Sequence, residues 1–525
     1  MSPGAATGRA DSPGDARAYH DETKHSRASV RTDRHALDWA NKPFLFKVYP
    51  DAPAVTLPRE VSPPALPTLE AVARGVADPG AGRVDLAALA QLLFFSAGLT
   101  KRKVYPGGEA MHFRAAASTG ALYQTEVYVV AGAVEGLEPG VYHFCPGDFT
   151  LRRLRAGDHR AALANVSGRG ELVADAPATA ILSAIHWRNA WKYRARAFRH
   201  FFWDAGTLLA NLLATAVTLD VPARVLLGYA DGPVNALLGL DAAREGALAL
   251  VPLGRGASPP SPSPPAPPLS LASVPLSPRE VEYPLVEAAY TASSLPDGPA
   301  ARAWITDAGD SAAAPVASPG TPSRPLGETI LRRGSTREFG RAAIPRETLA
   351  AVLDAALRPL PLDLGARETL VETYLLVHAA EGLTAGAYVW DRAARELRLL
   401  RAGEFREVGG YLCLEQPLGA DASAVAFFLS DLTPVLARWG SRGYRAVNLA
   451  AGLLGGRLYL GAYSLGLGAT GLTFYDDEVV QFFEPSAAGK DAIFVTALGA
   501  ATRRPAGRGL PVAPASLEPL HPGDA

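Results

Sequence analysis

One regularity constrains this chain more than any other: it repeats itself at a fixed offset of 246 residues. Glu135-Gly136-Leu137, with Gly140 and Tyr142, returns as Glu381-Gly382-Leu383, with Gly386 and Tyr388. The same shift carries Tyr128 to Tyr374, Leu154-Arg155-Ala156-Gly157 to Leu400-Arg401-Ala402-Gly403, Arg199 to Arg445, and Ala205-Gly206 to Ala451-Gly452. Matches at one constant shift on both sides of a long gap are hard to obtain by chance. The chain therefore reads as two copies of one fold in tandem, at about 60–255 and 320–504. Two such copies most simply pack about a pseudo-twofold axis, as a homodimer would.

Each copy carries the same coarse pattern. A helix (Leu86 to Phe95; Arg346 to Leu357) precedes a strand (Glu126 to Ala131; Glu372 to His378). A Gly-Leu-rich turn leads to a second strand near Tyr142 or Tyr388, then to a long apolar helix (Phe202 to Leu219; Val447 to Leu465). A closing strand follows (Leu248 to Leu253; Ala492 to Leu498). Without strict βαβ alternation the expected class is α+β. Residues 1–59 read as a tail and an arm lying on the folded body. Residues 256–319 read as a Pro-rich linker, since seven of the twelve residues from Ala257 to Pro268 are proline and form a semi-rigid spacer. Residues 505–525 read as a loose tail.

Composition narrows the function. With 51 basic and 52 acidic residues the net charge is −1, so no global cationic field holds a nucleic acid or an anionic membrane. Two cysteines, Cys145 and Cys413, exclude a disulfide framework and a zinc-thiolate cluster. The N-terminal stretch has no apolar signal core, and the most apolar run, Thr207 to Leu219, is shorter than a membrane helix requires. The expectation is a cytoplasmic protein. Only seven residues are lysine, which makes a lysine in a suggestive place more informative than usual.

Four segments could carry chemistry, each with a plainer alternative. Gly466 to Gly471 spells GxGxxG, but a long helix precedes it and LTFYDDE follows, whereas a dinucleotide turn needs a strand before and a helix after. It reads either as a helix cap and turn or as a close backbone approach to a flat ligand. Arg332-Arg333-Gly334-Ser335-Thr336-Arg337 suits a phosphate monoester through bidentate donors, or is a solvated basic turn. Arg114 to Gln124, with Ser118, Thr119 and Gly120, offers backbone N–H groups to an acceptor edge, or is an ordinary turn. Trp191-Lys192-Tyr193 precedes the long helix of copy 1; the pair Lys192–Tyr193 reads either as a proton-transfer pair or as a surface lysine beside a packing tyrosine. His20 and His25 are read as satisfied surface residues, and no metal site is expected.

Together, the arm YHDETKHS…LDWANKPFLFKVYP and the segments FRAAASTGALYQTEVYVV, WKYRARAFRHFFWDAGTLLANLL, RRGSTREF and GYRAVNLAAGLLGGRLYLGAYSLGLGATG resemble the flavin-dependent nitroreductase superfamily. They look most like its SagB/ThcOx dehydrogenase branch, in a two-copy form. The resemblance implies two tandem nitroreductase-like domains forming an intramolecular pseudo-dimer, with FMN in the crevice between them. It implies that Arg333, Ser335 and Arg337 hold the phosphate, with Arg503 or Arg504. It implies that Gly468, Ala469, Thr470 and Gly471 approach the ring from copy 2, and Ser118, Thr119, Gly120 and Leu122 from copy 1. Ala117 stands where the family often has proline. Azoline-oxidising relatives use a catalytic Lys-Tyr pair, and Lys192–Tyr193 matches it.

The phosphate cluster and Gly turn occur only in copy 2, and the Ser-Thr-Gly loop and Lys-Tyr pair only in copy 1. Complementary halves point to one composite site and one FMN per chain. The implied activity is oxidation of a thiazoline or oxazoline in a modified peptide to the azole. Lys192 or Tyr193 would take the ring Cα proton while hydride leaves Cβ for the flavin. The implied partners are the peptide or a small-molecule substrate, together with other peptide-modifying enzymes. Two alternatives stand beside this: an NAD(P)H-driven reductase of nitroaromatics, quinones or alkenes, and a non-catalytic peptide-binding partner with a degenerate flavin fold.

Overall fold

The computed structural model describes residues 15–77, 83–104, 110–269, 271–305, 320–364 and 369–503. The expected tail at 505–525 and Arg504 lie outside the described residues. Copy 1 contains β1 (Ala54–Thr56), β2 (Leu99–Val104), β3 (Ala110–Arg114), β4 (Thr125–Ala131), β5 (Gly140–Cys145), β6 (Thr150–Ala156), β7 (Ala178–Ile185) and β8 (Glu245–Leu253). Copy 2 contains β9 (Glu372–Val377), β10 (Gly386–Asp391), β11 (Glu396–Ala402), β12 (Ala424–Ser430), β13 (Gly468–Gly471) and β14 (Asp491–Gly499). β2 and β3 form a separate hairpin.

The two large sheets have orders β1-β6-β5-β4-β7-β8 and β11-β10-β9-β12-β14-β13. Their common part, β6-β5-β4-β7-β8 and β11-β10-β9-β12-β14, is one arrangement built twice. Neighbouring strands run antiparallel in both. The class is α+β, as the lack of βαβ alternation predicts.

Two long helices, Ala197–Thr218 and the part of Leu432–Ser464 that follows a break at Gly440, cross at the centre. The repeated Ala-Gly pairs lie at this crossing. A Cβ on Gly206 would overlap the backbone at Leu449, Gly452 and Leu453, and one on Gly452 would overlap the backbone of Trp203. Each glycine thus lets the partner helix's backbone approach. Gly206→Val or Gly452→Val is expected to cost at least about 3 kcal/mol, the upper part of the overpacking range, because backbone has no rotamer to yield. Chemical denaturation measures it. Residues 186–218 form a stretch long and apolar enough to cross a membrane, but 94% of its most apolar window is buried in the fold. It is a core helix here.

The interface is closed by a reciprocal pair of buried ion clusters. Arg199 Nη1 donates to Asp476 Oδ1 (2.7 Å), and Arg445 Nη1 donates to Asp231 Oδ1 (2.7 Å). Arg196 joins the first cluster at 3.1 Å and Arg442 the second at 2.6 Å. Each aspartate belongs to the copy opposite its arginines, which is the self-complementary exchange of a twofold interface.

The segment between the copies is more than a spacer. Its helix Pro284–Ala292 does for copy 2 what the arm helix Ala16–Glu22 does for copy 1. Arg445 donates to Tyr290 O and Ser293 Oγ, as Arg199 donates to His20 O and Thr23 Oγ1. Leu295 N meets Asp231, and His25 N meets Asp476, each at 2.8 Å. The fold unit therefore begins with an arm in both halves. His20 departs from expectation. It is fully buried, bonded to Tyr444 Oη at 3.1 Å and set against Asp491, because the arm is sandwiched into the interface. Burial and the nearby Arg199 lower it to about 4.

Candidate active site

The copy-1 wall begins where β3 ends. Ala115 N donates to Gly98 O, and the chain enters the 118–124 turn. Asp204, on the long helix and 6% exposed, gathers this turn. Its carboxylate accepts from Ser118 Oγ (2.6 Å), Thr119 N (2.8 Å), Thr119 Oγ1 (2.5 Å) and Gln124 Nε2 (2.7 Å). Ser118 Oγ in turn accepts from Tyr123 N at 2.9 Å. The two hydroxyls are thus committed to the scaffold, as are the N–H groups expected to meet an acceptor edge at Thr119, Ala121, Leu122 and Tyr123, and Leu122 packs with Trp187 and Trp191. Gly120 has φ +62°, and a Cβ there would lie 3.0 Å from Tyr193 Oη.

Lys192 and Tyr193 end the helix His186–Tyr193. The Tyr193 ring meets the buried His200 ring edge-on at 4.4 Å, and Lys192 Nζ lies 5.4 Å from the Tyr193 ring centre. Burial, helped by the charge of Arg337, lowers Lys192 below the ordinary lysine range. Burial, with the Asp204 charge, raises Tyr193 against the opposing pull of Arg337. The arm stands beside this pair, with Trp191 Nε1 donating to Asp38 O at 2.9 Å.

The copy-2 wall begins after the helix Leu326–Arg332. Arg333 is buried and reaches across the interface: Nε donates to Ala115 O (2.8 Å) and Nη2 to Arg114 O (3.2 Å). Of the three expected phosphate ligands it is the one already holding the opposite wall. Thr336 N donates to Ala469 O (2.9 Å), and Ser335 Oγ lies 3.4 Å from Tyr459 Oη, which accepts from Gly471 N at 2.5 Å. The Ser335 turn and β13 are therefore one packed unit. Arg337 is exposed, with its charge felt at both Lys192 and Tyr193. Arg503 is exposed one residue beyond Thr502, whose N–H donates to Glu338 O.

β13 replaces the dinucleotide turn considered for GxGxxG. Gly466 (φ +85°) stands just past the helix end, and Gly468–Gly471 runs on as the edge strand of its sheet. Among the described residues no hydrogen bond joins β13 to the 115–122 wall. The pseudo-symmetric place differs. Residues 223–226 lie on the edge of β8 as β13 lies on β14, but copy 2 covers them. Val225 N donates to Pro361 O (2.9 Å), and Asp363 N donates to Val225 O (3.0 Å). Asp363, fully buried, accepts from Leu227 N and Gly228 N at 2.8 Å each. Residues 361–363 correspond by the repeat to 115–117. The 223–226 edge is therefore stitched to the opposite copy, whereas β13 is held within copy 2 by the arginine-serine turn and Tyr459.

The sequence model of the Nitroreductase family matches residues 81–255 and 330–489. The chain belongs to the nitroreductase family. The two matched segments are the two copies, each built on one large sheet. A solved structure from Anabaena variabilis, described as a nitroreductase, aligns with a TM-score of 0.68 at 29% identity, covering 93% of this chain and 99% of that one. A nitroreductase by name from Methanocaldococcus jannaschii is 26% identical over 182 residues, 35% of this chain and 86% of that protein. The microcin B17-processing protein McbC of Escherichia coli is 27% identical over 145 residues, 27% of this chain and 49% of McbC.

The structure sets Ser118, Thr119 and Gly120 in one turn beside Tyr193, packs Ser335 and Thr336 with Gly468–Gly471, and links the two groups through Arg333 on the 114–115 backbone and the charge of Arg337 at Lys192 and Tyr193; Leu122 is packed with Trp187 and Trp191. Reading the sequence alone passes over Asp204, Gln124, Tyr459 and Asp363. The repeat held a signal for the first: Asp204 falls on Ala450 beside the matched Ala-Gly pairs.

Proposed function

We propose that this nitroreductase-family oxidoreductase is an FMN-dependent dehydrogenase of the SagB/ThcOx type that oxidises azoline rings in modified peptides to azoles. The observation that carries the reading is the contrast between the two pseudo-symmetric places: among the described residues only the one at β13 lacks a backbone stitch across the interface, and it alone has Lys192–Tyr193 on the copy-1 side and a cationic, hydroxyl-bearing turn on the other. The donor set fits the cofactor. Ser335 and Arg337, with Arg503 nearby, suit a phosphate monoester, and β13 with the Gly120 backbone suits the rim of a flat heterocycle. Arg333 would tie the two walls around it. FMN, when bound, supplies the two-electron acceptor.

Lys192 is the proton acceptor in this reading. Lowering favours the neutral amine, the form of lysine that accepts a proton, whereas a raised tyrosine stays protonated and serves as a donor that orients substrate. A peptide substrate, and cooperation with other modifying enzymes, is supported by the likeness to a microcin-processing protein. The test is the visible absorption spectrum of the purified protein with its flavin stoichiometry. One FMN per 525-residue chain is expected; none, or two, counts against the reading.

A further inference from the structure

Asp204 is an expensive residue to keep. Its four hydrogen bonds all come from neutral groups, so a buried carboxylate stands without an opposite charge bonded to it. Copy 2 lacks this polar set. At the repeat offset Ser118, Gln124 and Asp204 become Leu364, Leu370 and Ala450, all apolar. The polar set is present beside the Lys192–Tyr193 pair and absent as a set beside the 223–226 edge.

The turn that Asp204 holds also needs holding. Gly120, Ala121 and Tyr123 have φ of +62°, +54° and +52°. For the two non-glycine residues this left-handed backbone costs about 1–2 kcal/mol each. Such a conformation persists only where its surroundings fix it, and these sites cluster where a ligand is met. The same turn brings Gly120 against Tyr193 Oη.

We infer that Asp204 is a positioning residue of the active site: it locks the 118–124 turn in its left-handed form against Tyr193, so that Gly120 and the tyrosine hydroxyl are presented to the bound ring as one rigid surface. This rests on the flavin reading above and deepens it.

The test uses the full chain with Asp204→Ala and, as the isosteric variant that keeps the core filled, Asp204→Asn. In flavin-free protein, hydrogen exchange of the Thr119 and Tyr123 amides is expected to accelerate at least tenfold in Asp204→Ala and by less in Asp204→Asn, with far-ultraviolet circular dichroism unchanged. Titration with FMN, followed by quenching of its fluorescence, is expected to show at least tenfold weaker binding and an altered visible dichroism of the bound flavin. Ser118→Ala/Thr119→Val should reproduce the loss and add little to Asp204→Ala. If Asp204→Ala fails to fold, the same changes must appear in Asp204→Asn. Exchange rates and FMN affinity within twofold of wild type in the folded variants overturn the inference. Wild type that takes up no FMN overturns the flavin reading instead, because the exchange measurement stands without flavin.

Discussion

Lys192→Met is expected to lower azole formation about 10²–10⁴-fold, the usual range for removing a general base, while FMN stays bound at one per chain. Lys192 sits at a helix end on the copy-1 wall and is not among the groups assigned to the phosphate, so its loss should not empty the site. Burial and the charge of Arg337 both favour its neutral form. The sign then fixes the pH profile. A base acts only when unprotonated, so the rate should rise with pH through the lysine's own value and level off above it. That limb should lie below the ordinary lysine value of about 10.4. Tyr193→Phe removes a donor rather than the base and should cost less while keeping the same limb. Loss of two hydrogens from a synthetic thiazoline peptide, followed by mass spectrometry, measures the rate. A Lys192→Met enzyme retaining a tenth of wild-type activity would falsify the base assignment. Rapid bleaching by NADPH without peptide would favour a reductase.

What the sequence made legible follows from which contacts use side chains. The 246-residue offset survives at Gly206 and Gly452 because no Cβ fits the helix crossing, and at Arg199 and Arg445 because each guanidinium closes a buried cluster across the interface. The second arm was not legible, because its contacts are largely backbone: His20 O and Tyr290 O receive the arginines, and His25 and Leu295 bond through main chain. Sequence there was free to drift, and a proline-rich stretch masked the helix beyond it. The site was legible as two incomplete halves. The roles within it were less so, since Ser118 and Thr119 spend their hydroxyls on an aspartate 85 residues or more away. The stitch at the other place was invisible, because Asp363 acts on two backbone amides of the opposite copy.

The reciprocal ion clusters allow stability and site integrity to be separated. Asp476→Ala leaves Arg196 and Arg199 buried without their carboxylate, and Asp231→Ala does the same to Arg442 and Arg445. Breaking a buried pair by removing one partner typically costs about 3–5 kcal/mol, so both variants should lose stability on that scale in urea. Their effects on flavin should differ. Asp476 lies shortly after β13 and bonds the arm at His25, and its arginines directly follow Lys192–Tyr193, so this cluster braces the place at β13. Asp231 and its arginines brace the stitched one, where Arg442 donates to Leu227 O. Asp476→Ala should therefore also weaken FMN binding, while Asp231→Ala, studied below its unfolding transition, should bind FMN as wild type does. Acid provides an independent check. Burial pushes the Asp476 carboxyl up, but Arg196 and Arg199 outweigh it and hold the group at about 2. A carboxylate depressed on folding stabilises fully above its unfolded value of about 3.9 and loses that contribution as pH falls toward its folded value. The stability gap between wild type and Asp476→Ala should thus close as pH falls from about 4 toward 2. A gap that stays constant across that range would assign the loss to the cavity left by the side chain rather than to its charge.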